Sequence, residues 1–118
     1  MIERRKYPRY RYRLNVFVHE RGAYYPVENL SLEGCFIPMD DPLPEGTVVG
    51  LIIEIPGVGS IPTSGFVQHT GGGQGIGVQF LEMDEGYRKV YAKFLKIMPM
   101  LEEIKDLYTR VIEEKSRS

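Results

Sequence analysis

Two short clusters hold the side chains best suited to binding chemistry. The first is Arg4-Arg5-Lys6-Tyr7-Pro8-Arg9. A guanidinium presents its donors in a rigid fork that matches two phosphate oxygens at once. Pro8 fixes its own φ and biases Tyr7 toward an extended backbone, so Arg5 and Arg9 lie on an extended segment and not on one helix face. The second cluster is Asn29-Leu30-Ser31-Leu32-Glu33-Gly34. Asn29 offers both a donor and an acceptor, Ser31 a hydroxyl, and Gly34 permits a positive φ and a close backbone approach. Each cluster alone has a plainer reading: arginines solvated near a terminus, and a hairpin loop held by side-chain turn bonds.

The charge distribution favours a local anion site. The chain has 118 residues and a formal net charge of −1. Residues 1–13 carry six basic side chains against Glu3 alone, a net +5, and the remainder carries nine basic and fifteen acidic side chains, a net −6. A basic arm on an acidic body does not suit broad binding to a nucleic acid polymer, which needs an extended basic face with stacking aromatics. The length fits one domain. The single cysteine, Cys35, excludes an intrachain disulfide and fits a reducing compartment. The N-terminus has no apolar segment behind its charges, and no apolar run reaches the roughly 20 residues of a membrane span. A cytoplasmic protein is expected.

The elements that must position the clusters follow from periodicity. Leu14, Val16 and Val18 alternate with Asn15, Phe17 and His19, a period of two. Further strands are expected at 24–30, 35–39, 47–55, 61–70 and 74–80, separated by Gly/Pro turns, with Pro26 marking an edge or a bulge. Gly71-Gly72-Gly73 reads as a flexible turn. Six short strands in this arrangement predict a mostly β fold, a small antiparallel barrel over residues 14–82. After Asp84, a plausible N-cap, the pattern becomes helical. Val90, Phe94, Ile97, Leu101, Ile104, Tyr108 and Val111 form a heptad seam, and Tyr87, Tyr91, Leu95 and Met98 add a second stripe to the first half only. The helical segment is expected over 84–115, as helices at 85–97 and 100–114 with a kink or break at Pro99. The first half should cover the barrel. The second either folds back on the barrel or joins copies of the chain.

The two clusters in this order, R-x-x-x-R at Arg5 and Arg9 followed by [D/N]-x-S-x-x-G at Asn29, Ser31 and Gly34, resemble the pattern of the PilZ domain family. Gly75-Ile76-Gly77-Val78-Gln79-Phe80 is similar to the family's closing strand, and Pro42 to Thr47 to its loop into the fourth strand. The resemblance runs from about residue 3 to residue 95. It implies a six-stranded PilZ-like barrel with a C-terminal helix, and a receptor for cyclic di-GMP. It assigns ligand contacts to Arg4, Arg5, Arg9, Asn29, Ser31 and Gly34, with the arm 1–13 flexible and folding over the barrel onto the ligand. The arginines would take phosphates or guanine O6 and N7. Asn29 stands where many members have Asp, whose charge accepts more strongly from guanine. The ligand is then cyclic di-GMP and no cofactor is expected. The signal would pass to an unidentified effector protein or through a homo-oligomer built on the helix.

Catalysis has little support. His19 and His69 fall in strands with no Cys or paired-carboxylate partner at a recognisable spacing, Cys35 lies in an apolar strand, and there is no metal-ligand spacing, P-loop or G-x-S-x-G. No enzyme activity is expected. The alternative to a nucleotide receptor is a scaffold of the same fold that acts only through protein contacts.

Overall fold

The computed structural model describes residues 14–117, so the arm at 1–13 and its Arg4, Arg5 and Arg9 lie outside the described residues. Six strands follow in order: β1 (Leu14–Val18), β2 (Ala23–Val27), β3 (Gly34–Pro38), β4 (Val48–Ile55), β5 (Gly59–His69) and β6 (Gly75–Glu82). All pairings are antiparallel, in the order β2-β1-β4-β5-β6-β3. The two edge strands meet where Glu28 and Phe36 exchange N–H···O bonds of 2.9 Å each. This bridge nearly closes the sheet into a barrel and removes most of its open edge. Pro26 lies on edge strand β2 and is exposed, where a missing N–H leaves no gap in a central ladder.

Alternation fills the interior. Val49, Leu51, Ile53 and Ile55 of β4 and Leu14, Val16 and Val18 of β1 are all buried, with Val16 opposite Ile53. β6 departs from alternation: Gly75, Ile76, Gly77 and Val78 are all buried. Ile76 and Val78 join the core, while the glycines lie under side chains of neighbouring strands. A Cβ on Gly75 would come within 2.4 Å of the Ile37 carbonyl oxygen. The glycine run after β5 is a single 3₁₀ turn, Gly71–Gly73, with Gly72 at φ 72°.

One helix, α1 (Glu85–Ser116), ends the chain. Asp84 caps it, its carboxylate accepting from the amides of Gly86 (3.0 Å) and Tyr87 (3.4 Å). The break expected at Pro99 is absent: the helix is continuous across it. Pro99 is exposed, and at 3.6 residues per turn it lies almost opposite the heptad seam and about 90° around the helix from the docked residues, so its ring meets water. The buried face also differs from the heptad seam. Tyr91, Phe94, Leu95 and Met98 are buried in the barrel's cluster, so the second stripe provides most of the docking. Val90 and Ile97, members of the seam, remain exposed. The second half does not fold back: no residue after Met98 is buried.

Candidate functional site

Asn29, Ser31 and Gly34 form the link between β2 and β3 and all line one cleft of about 360 Å³. Its other walls come from Glu33, Cys35 and Phe36 on the same link and strand, and from Gln68, His69, Gly77, Val78 and Gln79 on β5 and β6. The volume falls within the range of small-molecule sites.

The link has a defined shape. Asn29 has φ 55°, a left-handed conformation that Asn and Asp adopt more readily than other side-chain-bearing residues. Gly34 does not supply the positive φ expected of it. Its role is the close approach: an added Cβ would lie 1.9 Å from the Val78 carbonyl oxygen, in the backbone of β6. Glycine therefore lets the link start β3 directly against β6, with Gly34 opposite Gln79.

Ser31 is 3% exposed and is the one buried polar side chain among the described residues. Its hydroxyl oxygen accepts from the amides of Glu33 (3.2 Å) and Gly34 (3.3 Å), and its own amide donates to the Gly34 carbonyl at 3.0 Å. Ser31 thus shapes the loop from within, beyond the direct ligand contact expected of it. Its carbonyl accepts from the Tyr91 hydroxyl at 2.7 Å in a buried setting, and Tyr91 packs edge-on against Phe80. The helix is therefore bonded directly to the motif loop. Tyr91 reads in the sequence as one more apolar stripe residue; its hydroxyl in an otherwise apolar row is the signal that a polar partner awaits.

The opposite wall was not legible as a site. Gln68 donates to the Gln79 side-chain oxygen at 2.8 Å. His69 lies across Gly77, where an added Cβ would sit 2.3 Å from its Nε2. His69 is exposed, an imidazole laid beside the motif loop by the absence of a side chain on β6. Together the cleft presents amides, an imidazole, a carboxylate and backbone, groups able to read a base edge and to stack on its face.

The root of the basic arm lies nearby. Leu14, the first residue of β1, pairs with Val27, two residues before Asn29. Among the described residues no cluster of three or more His, Cys, Asp or Glu side chains could hold a metal ion, and no helix is long and apolar enough to cross a membrane.

The chain is similar in structure to the Bacillus subtilis inhibitor of motility MotI/DgrA, with a TM-score of 0.67 and 22% identity over 88% of this chain and 53% of that one. It is also similar to MrkH from K. pneumonia in complex with c-di-GMP, with a TM-score of 0.68 and 18% identity over 89% of this chain and 57% of that one. The MrkH structure without ligand matches with a TM-score of 0.66 and 15% identity over 89% of this chain and 55% of that one. The chain thus spans little more than half the length of these proteins, and at such identities the likeness shows the fold. No curated protein sequence matches it. The PilZ domain family model matches residues 3–96, a span that contains the arginine pair, the Asn29–Gly34 link and every strand; the chain belongs to the PilZ domain family.

Proposed function

We propose that this chain is a cyclic di-GMP receptor module that acts without catalysis, in the cytoplasm, by changing its contacts with a partner. The observation that carries this reading is the convergence of the Asn29–Gly34 link and the β5–β6 wall on one cleft of ligand size. Arg4, Arg5 and Arg9 supply the cations for the two phosphodiesters and for guanine O6 and N7. Arg9 is five residues from Leu14, at most about 17 Å of extended chain. The Leu14–Val27 pairing therefore puts the cleft within the arm's reach. Asn29 reads a guanine edge, Ser31 holds the loop and contacts the ligand, and Gly34 admits it close to the backbone. The family membership and the c-di-GMP complex of MrkH support the same ligand class.

The bond from Tyr91 to Ser31 offers a physical route outward. A ligand that shifts the link shifts the acceptor of a helix residue, and the helix surface is what an effector protein or a second copy would meet.

Calorimetric titration with cyclic di-GMP tests the reading. Wild type binds, and Arg5→Ala and Arg9→Ala each lose about 1.5–3 kcal/mol, roughly 10- to 150-fold in affinity. Three superimposable curves would remove the arginines from the site. Absence of heat and of thermal stabilisation for the wild type would leave the protein-contact scaffold as the function.

A further inference from the structure

The apolar residues of α1 divide between two uses. Tyr91, Phe94, Leu95 and Met98 dock on the barrel. Val90, Ile97, Ile104 and Val111, spaced by seven, remain 40–55% exposed along the length of the helix. At 3.6 residues per turn this row lies about 120° around the helix from the docked face, and Pro99 lies almost opposite it. The row is therefore clear of both the barrel and the proline. Beside it run Lys93, Met100, Leu107 and Glu114, also spaced by seven and all exposed. Tyr108, 66% exposed, widens the distal part.

We propose that this face pairs with the same face of a second copy of the chain, with the two helices antiparallel. The argument for that occupant is charge. Residues 85–98 carry Arg88, Lys89, Lys93 and Lys96 against Glu85, a net +3. Residues 99–116 carry five acidic and three basic side chains, a net −2. A parallel pair sets like ends together; an antiparallel pair sets opposite ends together. The flanking row sharpens this. In antiparallel register about an axis near Ile104, Lys93 faces the partner's Glu114 and Met100 faces the partner's Leu107, and symmetry makes each contact twice. Leu101 then layers with the partner's Ile104, and Tyr108 with the partner's Ile97. The other flank of the row turns toward the barrel in the first half, which leaves this side for the partner. A helix of 32 residues spans about 48 Å. That length gives such a pair several apolar layers in place of the exposed patch.

The test uses the whole chain without nucleotide, so its outcome is independent of the receptor reading. Light scattering and sedimentation equilibrium from low to high micromolar protein should give twice the chain mass of 13.5 kDa. Ile104→Lys, at an exposed position past the last buried residue, should retain the circular dichroism of the wild type. It should weaken the dimer by about 100-fold or more, since two symmetry-related apolar contacts are lost. Lys93→Glu alone and Glu114→Lys alone should each raise the dissociation constant about tenfold at low salt, and the two together should restore it. A chain that is monomeric at every concentration overturns the proposal. A dimer indifferent to both charge reversals overturns the antiparallel order, and one indifferent to Ile104→Lys overturns the face.

Discussion

Replacing Gly34 with alanine separates two reasons for which a protein needs glycine. The added Cβ would sit 1.9 Å from the Val78 carbonyl oxygen and 3.0 Å from its carbon. An ordinary carbon–oxygen contact is about 3.3 Å, so the overlap is roughly 1.4 Å against backbone that is itself bonded into the sheet. Relief requires β3 to move from β6 at the Gly34–Gln79 pair. It also stretches the bonds that tie Gly34 to Ser31. Overpacking costs about 1–3 kcal/mol, and each net hydrogen bond weakened costs about 1 kcal/mol. We expect a loss of about 3 kcal/mol in urea unfolding, read as a lower midpoint at an unchanged slope. Gly46→Ala is the control. Gly46 has φ 85° and open space around its Cβ position, so only the left-handed strain applies, about 1 kcal/mol. A Gly34→Ala protein within 0.5 kcal/mol of the wild type, or no less stable than Gly46→Ala, would refute the close-approach argument.

Two further outcomes follow from the site. Tyr91→Phe removes the donor to the buried Ser31 carbonyl while keeping the ring against Phe80; it should cost about 1–3 kcal/mol in the same unfolding assay and should also weaken cyclic di-GMP in calorimetry, whereas a loss of stability with unchanged binding would uncouple helix from loop. Asn29→Asp keeps a residue that tolerates the observed φ of 55° and gives guanine a charged acceptor; binding should tighten about fivefold, and weaker binding would mean that Asn29 faces a phosphate.

Much of this structure is legible in the sequence because its rules are local. The alternation of Leu14, Val16 and Val18 locates β1, and the β-branched run before Pro56 locates β4, since a half-buried strand needs those patterns whatever surrounds it. Asp84 announces the helix start through the bond its carboxylate makes two residues on. What was not legible depends on partners distant in sequence. Gly34 reads as a turn residue until β6 lies against it, and the positive φ falls instead on Asn29. His69 reads as a lone strand histidine because nothing local places it across Gly77. The heptad seam of α1 gives the period correctly, but only the barrel decides that Tyr91, Leu95 and Met98 turn inward and Val90 and Ile97 stay out. Pro99 reads as a breaker because it lacks the N–H of the ladder, yet the helix runs on through it with the ring on an exposed face.

The most direct test of the central claim is an amide ¹H–¹⁵N spectrum recorded through a cyclic di-GMP titration. The account predicts that shifts concentrate at the Asn29–Gly34 link, at Gln68 and His69, and at Gly77 to Gln79, the two walls of one cleft. Shifts confined to the far side of the barrel, or a spectrum unchanged at saturating nucleotide, would contradict it.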